Sequence, residues 1–77
     1  MDAIVWSKDG CTHCDQAKNL LKSKGINYEE RNIMGDTWTI EQLLEAVPTA
    51  RTLPQIFVDG NYVGGFTELR KYLLEVI

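Results

Sequence analysis

Cys11 and Cys14 are the only cysteines of the chain, two residues apart in "KDGCTHCDQAK", Lys8 to Lys18. A thiol pair at this spacing can hold a metal, staple a fold or exchange disulfides. A structural zinc site needs four ligands. Besides the cysteines only His13 is an obvious candidate, and from its place between them it is hard to aim at the same ion, so no metal is expected. A permanent disulfide here would close a very small loop and restrict the unfolded chain little. Inert buried cysteines belong on an apolar face rather than beside Lys8, Asp9 and Gly10.

Disulfide exchange fits the spacing better. If a helix begins near Thr12, Cys11 stands at its N-terminal end, where unpaired backbone N–H groups and the helix dipole favour a thiolate. Lys8, on the preceding loop, adds positive potential, and both effects lower a thiol pKa from its reference value of about 8.5. Cys14 lies one turn further in, where the dipole helps less and neighbours cover more. The expected roles are therefore unequal: Cys11 attacks a substrate disulfide, and Cys14 resolves the mixed disulfide in an effectively intramolecular step. His13 is most simply a surface residue, although an imidazole there could also stabilise the thiolate and tune the redox potential.

The elements that must position this pair follow from periodicity. "AIVWS", Ala3 to Ser7, is an apolar, β-branched and aromatic run ended by Asp9 and Gly10, and predicts a buried strand. From Thr12 to Lys24, Ala17, Leu20 and Leu21 recur at helical spacing, with Gly25 as the stop. "INYEERNI" predicts a second strand, parallel to the first after a right-handed crossover. "TIEQLLEAV" predicts a helix with Ile40, Leu43, Leu44 and Val47 on one face, Thr39 as N-cap, Gln42 as its capping-box partner and Pro48 helping to end it. "QIFVDGNYVGGF" is a hairpin, Ile56 to Val58 and then Tyr62 and Val63 about a turn at Asp59-Gly60-Asn61. Thr67 to Val76 closes the chain as a helix with Leu69, Tyr72, Leu73 and Val76 at helical intervals. The order β-α-β-α-β-β-α with a cysteine pair after the first strand is the thioredoxin-like arrangement, an α/β fold with a small mixed four-stranded sheet and helices on both faces.

Composition bounds the function. Seventy-seven residues, 44% hydrophobic and 25% charged, predict one globular domain over residues 1–77, near the size limit at which a core suffices. A net charge of -3, with no dense Lys/Arg run, argues against nucleic acid or an anionic membrane as partner. No apolar run reaches the roughly 18 residues of a membrane span, and the N-terminus lacks the pattern of a signal peptide, so the expected location is the cytoplasm.

Three segments together resemble the glutaredoxins over essentially the whole chain. "WSKDGCTHC" is similar to that family's strand, lysine and active-site pair, "RTLPQIFVDG" to its T-V-P segment, and "NYVGGFTEL" to its G-G loop and final helix. By itself Pro54 reads as a trans proline starting an edge strand; the resemblance implies a cis bond that bares the Leu53 backbone beside Cys11 for a substrate to pair with. Gly64-Gly65 reads as a bulge or turn, or as a place where a ligand approaches the backbone. The resemblance implies a glutathione site there: the γ-glutamyl end at Gly65, Phe66 and Thr67, with Thr67 capping the helix, the Thr52-Leu53-Pro54 segment alongside, and the glycyl carboxylate toward Lys8 and Arg51. Arg51 alone reads as a solvated surface charge.

The resemblance further implies a glutathione-dependent thiol-disulfide oxidoreductase acting on protein disulfides and glutathione mixed disulfides. Glutathione is then the reducing co-substrate, no cofactor is bound, the chain is a monomer, and "GGFTEL" points to ribonucleotide reductase as a partner. Three departures bear on this. Thr12 stands where the family usually has proline, His13 where it has an aromatic, and Glu41 where related proteins offer a neutral group; Glu41 would repel a carboxylate if it faced the site. Thr12 and His13 should shift the redox potential, and the missing proline also admits a glutathione-assisted [2Fe-2S] dimer as an alternative. A thioredoxin-like donor fed by a flavoprotein reductase is the other.

Overall fold

The computed structural model describes residues 1–76; Ile77 and the side chain of Val76 lie outside the described residues. Strand β1 (Asp2–Ser7) is the expected apolar run, and its pleat divides the side chains between two faces. Ala3 and Val5 join a core with Ala17, Leu21, Ile26, Ile56, Val58, Leu69 and Leu73, whereas Ile4 and Trp6 pack on the opposite side with Leu43 and Val47. One face of the sheet thus carries helices α1 (Thr12–Ser23) and α3 (Phe66–Val76), and the other carries the short α2 (Ile40–Ala46).

Strand β2 (Asn27–Asn32) runs parallel to β1, β3 (Gln55–Val58) antiparallel to it, and β4 (Asn61–Gly64) antiparallel to β3. The sheet order is β2-β1-β3-β4, the thioredoxin-like arrangement expected from element order. β1 is therefore central, and its C-terminal end delivers the chain to the Lys8–Gly10 loop and α1.

Several boundaries differ from expectation for local reasons. The hairpin turn is two residues, Asp59-Gly60, both at positive φ (51° and 83°), and pairing resumes at Asn61. Val63 is a bulge, because Ile56 pairs with Gly64 while Phe57 pairs with Tyr62. The capping box is formed: the Thr39 hydroxyl accepts from the Gln42 N–H and the Gln42 side chain from the Thr39 N–H. The apolar face of α2 is only half used. Leu43 and Val47 are buried, but Ile40 and Leu44 are 52% and 41% exposed, since this short helix meets the sheet along a single line.

Two side-chain clusters tie distant segments together. The Arg31 guanidinium lies 4.1 Å from the Trp38 ring centre and 5.2 Å from that of Trp6, and the two indoles meet edge to face at 5.4 Å. This stack pins the connection between β2 and α2 to the sheet. On the other side, the buried Ser7 hydroxyl and the Lys18 ammonium both donate to Glu30 Oε2, at 2.6 and 2.9 Å, linking β1, α1 and β2.

The Ser7 hydrogen bond, reinforced by Lys18, holds the Glu30 carboxyl below its ordinary value of 4.5. A depressed carboxylate contributes stability above the unfolded-state value, and that contribution disappears as pH falls through the folded-state value. Glu30→Gln is therefore expected to cost about 1 kcal/mol at pH 7, a charged hydrogen bond discounted for partial exposure. Urea titrations of both proteins should converge as pH is taken below 4.5; a difference that persists in acid would contradict this origin.

Candidate active site

Cys11 is the N-cap of α1, in extended backbone (φ -96°, ψ 102°), and its sulfur accepts the Cys14 N–H at 3.1 Å. It takes the place of the serine or aspartate that usually satisfies such a donor. The two cysteines are joined as a disulfide with Cα atoms 5.2 Å apart. They differ in access: Cys11 retains 9% of its surface and Cys14 1%. The same N–H would stabilise a Cys11 thiolate once the bond is reduced, so the helix terminus favours charge on the more accessible sulfur.

The Leu53–Pro54 bond is cis, as the resemblance implied and unlike the reading of Pro54 in isolation. The Leu53 carbonyl oxygen lies 3.7 Å from Cys11 Sγ, within reach of a hydrogen bond from the reduced thiol. Pro54 is buried and Leu53 half-buried. Gln55 holds this segment: its Nε2 donates to the Thr52 carbonyl at 2.8 Å, and its Oε1 accepts from the Tyr62 hydroxyl at 2.6 Å.

Two grooves flank the disulfide. One is lined by His13, Thr52, Leu53, Pro54, Gly65, Phe66, Thr67 and Glu68, so the proline segment and the start of α3 do face each other beside α1. The His13 ring lies 6.3 Å from that of Phe66 at 24°, a stacked arrangement across the groove. The other groove runs from Lys8, Arg51, Thr52 and Leu53 to Ile33, Ala50 and α2. Thr12 is exposed on the first turn of α1. Every expected site residue thus lies on the pair or on one of its two sides. Glu41 is exposed in the first turn of α2, next to Ile40 of the second groove, and is not itself among the described residues lining either groove.

Thr67 is not the cap of α3. The helix begins at Phe66, the Leu69 N–H bonds to the Gly65 carbonyl at 2.9 Å, and Glu68 Oε1 accepts the Gly65 N–H at 2.8 Å. Glu68 thus closes the N-terminal turn as the acid of a capping box. Its spacing three residues after Gly65 was the available signal. Gln55 carried no comparable signal, because its role depends on Thr52 and Tyr62 arriving from either side.

A family model described as Glutaredoxin matches residues 3–63. The chain is 35% identical over 65 residues to glutaredoxin 3 of Escherichia coli K12, covering 84% of this chain and 77% of that protein. It is 41% identical over 68 residues to the hybrid peroxiredoxin hyPrx5 of Haemophilus influenzae, covering 88% of this chain but only 27% of that longer protein. The solved structure of reduced Escherichia coli glutaredoxin superposes with a TM-score of 0.82 at 30% identity, covering 99% of this chain and 96% of that one.

Gly64 has φ of 122°, and a Cβ added there would lie 3.0 Å from Glu68 Cγ. Gly64→Ala is expected to lose about 1–3 kcal/mol through backbone strain and displacement of Glu68. Guanidinium denaturation measures this; an unchanged midpoint would show that the corner adapts freely.

Proposed function

The chain belongs to the glutaredoxin family of thiol-disulfide oxidoreductases, and on that footing we propose that it reduces protein disulfides and glutathione mixed disulfides at the expense of glutathione. The observation that carries this reading is the unequal pair: an N-cap sulfur with partial access, and a fully buried partner whose N–H points at it.

The Cys11 thiolate attacks one sulfur of the substrate disulfide; the other sulfur leaves as a thiolate and takes a proton from solvent. Cys14 then attacks Cys11 Sγ, releasing the second substrate thiol and forming the Cys11–Cys14 disulfide. One glutathione thiolate opens that disulfide at Cys11, and a second displaces it as glutathione disulfide, so two glutathiones supply the two electrons. With a glutathione mixed disulfide, Cys11 takes the glutathionyl sulfur and frees the protein thiol. Glutathione itself can then complete the turnover.

For glutathione, the Leu53 backbone beside Cys11 offers pairing to the central residue. The first N–H groups of α3 lack intrahelical partners and suit the γ-glutamyl carboxylate, and Lys8 and Arg51 suit the glycyl carboxylate across the second groove. Glu68, in the first groove beside the start of α3, favours the γ-glutamyl ammonium over a further anion. Among protein disulfides, ribonucleotide reductase is proposed on the likeness of "GGFTEL", and the similarity to a hybrid peroxiredoxin adds peroxiredoxins as a second class. The working form in this reading is a cytoplasmic monomer without a resident cofactor.

The test is turnover of a glutathione mixed disulfide, coupled through glutathione reductase to NADPH oxidation. Cys11→Ser is expected to fall at least about a thousandfold, to background. Cys14→Ser should retain this activity while losing reduction of a protein disulfide. Turnover that needs a flavoprotein reductase and proceeds without glutathione would overturn the glutathione dependence. Equal loss of both activities in Cys14→Ser would overturn the division of roles.

A further inference from the structure

β3 carries one polar side chain in an otherwise apolar strand. Gln55 opens the strand directly opposite Trp6, and the pleat places it on the same face as Trp6 and Phe57, which pack beneath α2. It is 6% exposed. A buried amide is costly unless its donors and acceptor are used, and an apolar side chain of the same length would fill this place without that cost.

Both ends of the amide are engaged. Its Nε2 donates to the Thr52 carbonyl at 2.8 Å, and its Oε1 accepts from the Tyr62 hydroxyl at 2.6 Å. The Tyr62 ring is held in turn against its cross-strand partner Phe57, with ring centres 5.4 Å apart. At its inner end this chain of bonds meets the loop that faces the redox sulfur. Arg51, Thr52, Leu53 and Pro54 lie outside the sheet and, among the described residues, take part in no backbone–backbone hydrogen bond. Among the same residues Gln55 is the one side chain besides Cys11 that bonds the backbone of this loop. The next carbonyl oxygen along, that of Leu53, lies 3.7 Å from Cys11 Sγ.

We propose that Gln55 and Tyr62 are positioning residues for disulfide exchange: the chain from the Tyr62 hydroxyl through the Gln55 amide to the Thr52 carbonyl holds the Leu53 carbonyl on the reduced Cys11 thiol. Both act through the loop rather than on the sulfur. A carbonyl that accepts from a thiol favours its neutral form, so the held loop opposes the Cys14 N–H, which favours the thiolate. The reactivity of Cys11 is then set by the balance of the two. A loop already fixed also presents the Leu53 backbone in one register, so little ordering remains when a substrate pairs with it. This second consequence rests on the glutathione reading above; the first does not.

The experiment uses three variants of the full chain. Gln55→Met keeps the length of the side chain and removes both hydrogen bonds, Tyr62→Phe keeps the ring on Phe57 and removes the hydroxyl, and the third carries both changes. In the reduced proteins the rate of alkylation by iodoacetamide is followed against pH; with Cys14 only 1% exposed, the rate reports Cys11. The other titratable and charged groups about the site are the same in every protein: Lys8 and Asp9 in the preceding loop, His13 and Cys14 in α1, Arg51 before Thr52, and Glu68 in α3. The midpoint should fall by about half a pH unit in Gln55→Met, the equivalent of one weak hydrogen bond to the neutral thiol, and by a smaller amount in Tyr62→Phe. Adding Tyr62→Phe to Gln55→Met should change nothing further, because the hydroxyl acts only through the amide. An unmoved or raised midpoint, or shifts that add, would overturn the proposal. Lower resistance to urea with an unmoved midpoint would mark a merely structural role and overturn it equally.

Alkylation involves no glutathione, so this result stands whether or not the glutathione-coupled assay succeeds. In that assay Gln55→Met should raise the KM for a glutathione mixed disulfide about fivefold and leave kcat within about twofold of the parent, as expected for pairing that substrate and transition state share. A fall in kcat at unchanged KM would show that Gln55 does not hold the loop for a substrate. Tyr62 is exposed, so Tyr62→Phe is expected to fold, and its midpoint decides the matter even where Gln55→Met does not fold.

Discussion

The hydrogen bond from the Cys14 N–H to the Cys11 sulfur governs the site. It satisfies one of the donors that every helix start leaves open, and it does so with the atom that carries the chemistry. The helix must therefore begin at this point in the chain, and β1 must stop soon enough for the Lys8–Gly10 loop to turn the backbone into it. The remaining packing of α1 keeps that geometry fixed. Ala17 and Leu21 enter the core, and Lys18 is tied through Glu30 to Ser7 at the end of β1. Strand end and helix start are thereby joined on two sides.

Around this point the two faces of the sheet do different work. The face under α1 and α3 is closely filled and brings the start of α3 beside the proline segment, forming the groove bounded by His13 and Phe66. The opposite face is covered more sparingly. Seven residues of α2 and the Trp6–Arg31–Trp38 stack close it, and an apolar lip is left exposed. A thioredoxin-like sheet with one helix on this side has spare apolar surface next to its reactive sulfur.

Much of the molecule was legible before any coordinates. The Thr39–Gln42 capping box, the Gly25 stop after α1, the Asp59-Gly60 turn and the strand run Ala3–Ser7 are local patterns, and each stands within a few residues of its expected place. The cysteine pair at a helix start was legible for the same reason. The cap at Thr67 that the resemblance implied is not the one formed, because the helix begins one residue earlier, at Phe66, and closes its first turn with Glu68. Ile40 and Leu44 share an apolar face with Leu43 and Val47 yet stay exposed, because periodicity reports which side of a helix is apolar, not how wide a strip the sheet covers.

By itself the sequence determined which segments become helix or strand, where they stop, and that Cys11 rather than Cys14 occupies the cap. Those outcomes depend on φ/ψ preference, capping and side-chain period, all of which act between near neighbours. Only the tertiary structure decided that Leu53 reaches Cys11, that Gln55 spans Thr52 and Tyr62, that Glu30 gathers Ser7 and Lys18, and that α2 leaves part of its apolar face uncovered. Each of these joins residues brought together by chain closure around the β2-β1-β3-β4 sheet. Strand order and register set those distances, and they arise from the packing of the whole chain rather than from any one stretch of it.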